Sequence, residues 1–116
     1  MIPLIIVGVL ASLTLYTYTG SQYVSPDEAK KLIASGKVKA VLDVRTKFEY
    51  DSGHYPGAIH IPVDKINEKS TSILPKKGIL VYCNTGQRAR FAAEKLERLS
   101  FKNLYYIPGH YSSLMN

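Results

Sequence analysis

The run Gly78-Ile79-Leu80-Val81-Tyr82 is short, apolar and bounded by glycine, and Val38 to Val44 is a second short run rich in β-branched residues. Runs of this kind suit strands covered on both faces, and such strands belong to parallel sheets with helices packed against each side. Helical signals lie between and after them. Ser25-Pro26-Asp27-Glu28 reads as a helix start: Ser25 is placed to cap, Pro26 suits the first helical position, and Glu28 is placed to close a capping box. Ala29, Leu32 and Ile33 then fall on one face, and Gly36 supplies a left-handed stop. After Cys83 a second helix is expected, with Ala89, Ala92, Ala93, Leu96 and Leu99 on one stripe and Glu94 paired with Arg98 outside. Tyr50 to Gly57 is turn-rich and reads as an irregular connection, and Leu104 to Ile107 reads as a last strand before Pro108-Gly109. Strands and helices alternate without a hairpin signal. The expected class is α/β, with a central, largely parallel sheet flanked by helices.

With 116 residues, the chain has length for one compact domain. Apolar residues make up 46% and charged ones 21%, an ordinary globular balance, and no internal repeat or low-complexity tract is present. The formal charge of +6 favours anionic partners in general. Its lysines and arginines are scattered and not interleaved with aromatic residues, so a nucleic-acid partner is not expected. Cys83 is the single cysteine. It forms no disulfide within the monomer, leaving buried packing, a reactive thiol or an intermolecular link.

The amino-terminal segment is of another kind. Ile2 to Tyr18 is uncharged and mostly apolar, about 17 residues, near the lower limit for crossing a hydrocarbon layer. Residues 1–20 are expected to form an apolar helix that anchors the chain in a membrane by a single pass, with residues 21–116 as the folded domain. Tyr16, Tyr18 and Tyr23 then sit near the interface, and Lys30 and Lys31 favour a cytosolic domain. The alternatives are a signal peptide, cleaved so that the domain is exported, and a buried element of a soluble fold. No basic residue precedes the apolar run and no clear small-x-small site follows it, which disfavours the signal peptide.

The placement of Cys83 between a buried strand and a helix directs attention to its loop, Cys83-Asn84-Thr85-Gly86-Gln87-Arg88. Open α/β sheets gather their ligands at the carboxyl ends of the strands. There the amides of a tight loop and the free donors of the next helix stabilise negative charge, on a thiolate or on the outer sulfur of a persulfide. Gly86 lets the backbone curl. Arg88 and Arg90 stand at the start of that helix, where the macrodipole disfavours cations, so an anion is expected to compensate them. The bland reading of each residue is packing for Cys83, a simple turn at Gly86 and solvated arginines.

These residues resemble the rhodanese family of sulfurtransferases. Three ordered segments carry the resemblance: Val41-Leu42-Asp43-Val44-Arg45, the stretch from Glu49 through Gly53-His54 and Pro56-Gly57-Ala58 to Pro62, and the Cys83 to Arg88 loop. The match extends over nearly all of Tyr23 to Leu114. It implies a rhodanese-like domain in which Cys83 carries a persulfide and the amides of Asn84, Thr85, Gly86, Gln87 and Arg88 hold it. It also implies a bracing role for Asp43, Arg45, Glu49 and His54, and no cofactor or metal. The departure from the family is at the end: Gly109 is followed by His110, and Leu114 stands where tryptophan is common.

The expected activity is transfer of a sulfane sulfur from thiosulfate or a small persulfide, through Cys83, to cyanide or a thiol that a protein could supply. Two other readings are a membrane-tethered interaction module without turnover and a cysteine-dependent phosphatase or arsenate reductase. A phosphoryl cradle needs Cys-x5-Arg, and the sixth residue after Cys83 is Ala89. Arg88 comes one position early.

Overall fold

The computed structural model describes residues 20–115. Among them the order is β1 (Gln22–Tyr23), α1 (Pro26–Ala34), β2 (Ala40–Asp43), α2 (Lys47–Asp51), β3 (Ile59–His60), β4 (Lys77–Tyr82), α3 (Gln87–Arg98) and β5 (Lys102–Tyr106). Short 3-10 turns occupy Val63–Lys65, Ser70–Ile73 and Tyr111–Leu114. The five strands form one sheet in the order β1-β5-β4-β2-β3, and every pairing is parallel. The α/β reading with a parallel sheet between helices therefore describes this chain. The anchor and the apolar helix expected over residues 1–20 lie, but for Gly20, outside the described residues. Among the described residues no helix is long and apolar enough to cross a membrane.

β4 is the central strand, and its pleat divides the core. Ile79, Val81 and Cys83 enter a cluster with Ala89, Ala92 and Leu96 of α3, while Leu80 and Tyr82 enter a second cluster with Ala29 of α1. Each of Ile79, Leu80 and Leu96 is fully buried, which for side chains of this size is worth roughly 1.5–3 kcal/mol. Cys83 follows the same alternation, so its sulfur is delivered beneath the first turn of α3.

The helix starts and stops follow local chemistry. Ser25 Oγ accepts from the Glu28 N–H at 3.1 Å, with Pro26 at the first helical position and Gly36 at φ +81° beyond the last turn. The reciprocal half of the box differs from expectation: the Glu28 carboxylate accepts from the Ser25 hydroxyl at 3.3 Å. On α3, Glu94 pairs with Arg90 at 3.3 Å, and not with Arg98. The expected irregular stretch from Tyr50 is corrected too, because Tyr50 and Asp51 complete α2. Thr46 starts α2 by a full capping box, its Oγ1 accepting from the Glu49 N–H while Glu49 accepts from the Thr46 N–H. The last strand runs Lys102–Tyr106, earlier than the apolar residues alone suggest. Leu114 is buried against the α1 face of the sheet, in the cluster with Ala29 and Ile107.

Candidate active site

Cys83 follows β4 directly, and Gly86 opens α3 in the left-handed region at φ +97°. Curling there turns the chain so that two backbone donors converge on the sulfur. The Gly86 N–H lies 3.1 Å from Cys83 Sγ and the Ala89 N–H 3.4 Å. The thiol side chain is fully buried. Ala89 is a donor that a reading of the loop as Cys83 to Arg88 leaves out, because its amide counts only once the helix register is known. Among the described residues the N–H groups of Thr85, Gln87 and Arg88 have no protein acceptor, which leaves them free for an anion. Thr85 and Gln87 are exposed, so the loop also presents polar side chains to solvent.

A set of charged side chains fastens this loop to the rest of the sheet. Arg88 and Glu49 form a two-pronged ion pair, Nη1 to Oε1 at 2.7 Å and Nη2 to Oε2 at 3.0 Å. The compensating anion expected for Arg88 is thus a carboxylate of this chain. The Asn84 side-chain amide also donates to Glu49, at 2.6 Å, and its oxygen accepts a longer bond of 3.5 Å from Arg45. The two ends of the loop are therefore held by one acid on α2. Its ion-pair bonds with Arg88, aided by the Thr46 donors and opposed by some burial, hold the Glu49 carboxyl far below the usual carboxylate range.

A folded-state value below the ordinary 4.5 means the stabilisation is fully present above that pH and fades as the pH falls below it. Glu49→Gln is accordingly expected to lower stability by about 1 kcal/mol at neutral pH, the pair being partly open to solvent. The urea-midpoint gap between variant and parent should shrink steadily below pH 4.5. A gap that stayed constant with pH would remove the ion pair from the explanation.

Beneath the loop lies a buried pair. Asp43, fully buried at the end of β2, accepts from Arg45 Nη2 at 2.8 Å, from the Arg45 N–H at 2.9 Å and from the Tyr82 hydroxyl at 2.6 Å. Burial pushes the Asp43 carboxyl up, and these hydrogen bonds outweigh it and leave it below its ordinary value. Tyr82 is pushed well up, by burial and by the bond it donates to Asp43. Arg45 reaches on to the Gly53 carbonyl at 2.7 Å, and its own carbonyl accepts from His60 Nε2 at 2.7 Å. Tyr50 lies between the rings of His54 and His60, at 3.7 and 4.4 Å between centroids. His54 Nδ1 donates to the Tyr50 carbonyl at 2.9 Å, so the histidine of the second motif secures its own turn. His110 is exposed and its Nδ1 accepts from the Ser112 N–H at 3.1 Å, capping the last 3-10 turn. Among the described residues no group of metal-ligating side chains comes together.

The family model for the rhodanese-like domain matches residues 25–116, most of the chain. The chain belongs to the rhodanese-like domain family. Among solved structures it is similar to the human single-domain sulfurtransferase TSTD1, with 27% identity and a TM-score of 0.66, covering 81% of this chain and 95% of that one. Among curated proteins it is 29% identical over 87 residues to YrkF of Bacillus subtilis (strain 168), by its name a candidate sulfur carrier protein. It is 31% identical over 96 residues to a tRNA uridine(34) hydroxylase of Protochlamydia amoebophila (strain UWE25). The matches take in 74% and 76% of this chain but only 47% and 30% of those proteins, so it spans less than half the length of either relative. What is shared is this domain. In the extent of its fold the chain resembles the human single-domain sulfurtransferase, and its own segments around Arg45, Glu49 and Cys83 meet at the candidate site.

Proposed function

We propose that the chain is a sulfurtransferase that carries sulfur on Cys83. The observation that supports this reading is the convergence of the Gly86 and Ala89 N–H groups on Cys83 Sγ at the start of α3. In the first half-reaction the Cys83 thiolate attacks the sulfane sulfur of thiosulfate. A new S–S bond forms, the bond to the sulfonate breaks, and sulfite departs with the electron pair. Cys83 is left as a persulfide anion. A small persulfide serves equally as donor, with a thiolate as leaving group. In the second half-reaction cyanide or a thiolate attacks the outer sulfur, and Cys83 leaves as thiolate, ready for another cycle. Negative charge resides on sulfur throughout, and the amide donors are already aimed at it.

Asn84, Thr85, Gly86, Gln87 and Arg88 contribute their backbone to this cradle, and the Arg88 charge is shared with Glu49. That sharing makes Arg88 a brace for the loop more than a free lure for the donor. Position 89, where a phosphoryl cradle needs arginine, holds a fully buried alanine.

Incubation with thiosulfate followed by intact mass measurement is expected to show one added sulfur on the parent protein and none on Cys83→Ser. An adduct that survives in the serine variant would place the chemistry elsewhere. No adduct on the parent from any sulfane donor, with partner recruitment intact in Cys83→Ser, would make the domain an interaction module. We also propose that the apolar run Ile2 to Tyr18 tethers the domain to a membrane, with the domain on the cytosolic side.

A further inference from the structure

At the end of the sheet opposite Cys83, strand register gathers charge of one sign. Lys77 of β4 pairs with Lys102 of β5, and the Lys102 N–H donates to the Lys76 carbonyl. Across β4, the Lys39 N–H donates to the Gly78 carbonyl at 2.6 Å. Gly78 permits this approach: a Cβ there would meet the Lys37 carbonyl oxygen at 2.5 Å. Lys37, Lys39, Lys76, Lys77 and Lys102 thus stand side by side and exposed, and none has an ion-pair partner among the described residues. Three of them, with Asn103 and Tyr105, line an open groove of about 420 Å³ that contains no acidic residue. Holding five like charges together costs self-repulsion, and an anionic surface relieves it.

The described chain enters at the same end. Gln22 pairs with Tyr105, so Gly20, two residues earlier, stands level with Asn103, next to Lys102. Gly20 and Ser21 lie beside Glu97 and Arg98, in the last turn of α3. The apolar run ends at Tyr18, two residues before Gly20.

From this juxtaposition we propose that the five-lysine edge is a docking surface for anionic phospholipid headgroups. The proposal extends the tethering reading and rests on it for the choice of a membrane. All five cations of the edge are lysines, compact point charges suited to a diffuse headgroup layer, and Arg98, the arginine at this end, lies beside Gly20 outside the groove that three of them line. With this edge on the membrane, the Cys83 loop faces away from it.

The full chain should be mixed with vesicles of phosphatidylcholine alone or of phosphatidylcholine with phosphatidylserine, floated, and acylated with an amine reagent. Peptide mass analysis then gives the rate at each lysine. On the anionic vesicles at low salt, the five lysines are expected to react roughly fivefold more slowly than on neutral ones, with Lys47 unchanged. In about 1 M salt the protection should vanish while the protein stays afloat. Changing all five to glutamine should leave thiosulfate chemistry at Cys83 and flotation on neutral vesicles as they were. Flotation on both lipids with equal lysine rates would overturn the docking surface and keep the tether. Flotation on anionic vesicles alone, lost in the glutamine variant, would keep the surface and remove the tether. Failure to float on either, or protection of the five by an RNA instead, would overturn the surface.

Discussion

Asp43→Ala is expected to lose about 3–5 kcal/mol of stability, a large share of what a domain of this size has. The carboxylate has no exposed surface and receives Arg45 and Tyr82 together. Its removal leaves a buried guanidinium without its counter-charge and a buried hydroxyl without an acceptor. Urea unfolding followed by circular dichroism measures the loss. Tyr82→Phe removes one bond and keeps the ion pair, so its cost should be about 1 kcal/mol. If both variants cost the same, burial of the pair is not what holds this corner. Because Arg45 also holds the Gly53 carbonyl and reaches Asn84, any Asp43→Ala protein that folds should transfer sulfur more slowly.

Gly86→Ala is expected to abolish most sulfur loading with a smaller loss of stability, about 2–3 kcal/mol. At φ +97° an L residue is strained, and the added Cβ would lie 3.1 Å from both the Cα and the carbonyl oxygen of Pro108 and 3.3 Å from the Ile107 carbonyl oxygen. These are backbone atoms following β5, so the loop gives way. The Gly86 N–H then moves off Cys83 Sγ. Gly36→Ala is the matched control, because its φ is +81° with nothing within 4 Å of the added atom. Stability and persulfide formation measured on both variants separate backbone strain, common to the two, from displacement of the loop. Equal loading in the two variants would sink the claim that Gly86 aims its amide.

The parts of this architecture legible in the sequence are those whose cause is local. Gly78 to Tyr82 announces a doubly covered strand because its apolar run is unbroken, and Ser25-Pro26 announces a helix because cap and first residue are neighbours. α2 is not legible from periodicity, since five residues give none. Its one signal is Thr46 with Glu49 three positions later, a capping box just ahead of the turn-rich stretch. β1 and β3 are two residues each and exist through pairing with β5 and β2, which no local pattern encodes. The site divides in the same way. The Cys83 loop could be read as a motif, but the bonds of Arg88 to Glu49 and of Tyr82 to Asp43 each join residues 39 apart. They depend on β2 and β4 lying side by side in register. Arg88 at a helix start calls for an anion, and the fold supplies one from α2 in Glu49.

If Cys83 carries sulfur as proposed, its depth sets a condition on whatever takes that sulfur away. Its thiol has no exposed surface, while the S–S bond of a persulfide is about 2 Å long. On a loaded Cys83 the transferable sulfur would stand one bond beyond the buried atom that holds it. A carrier atom with no exposed surface would favour a slender acceptor, a linear anion or a thiol on an extended arm, over a cysteine set flat in a folded surface. The same burial is expected to slow bulky alkylating reagents at the unloaded Cys83 thiol, against a small reagent such as iodoacetamide.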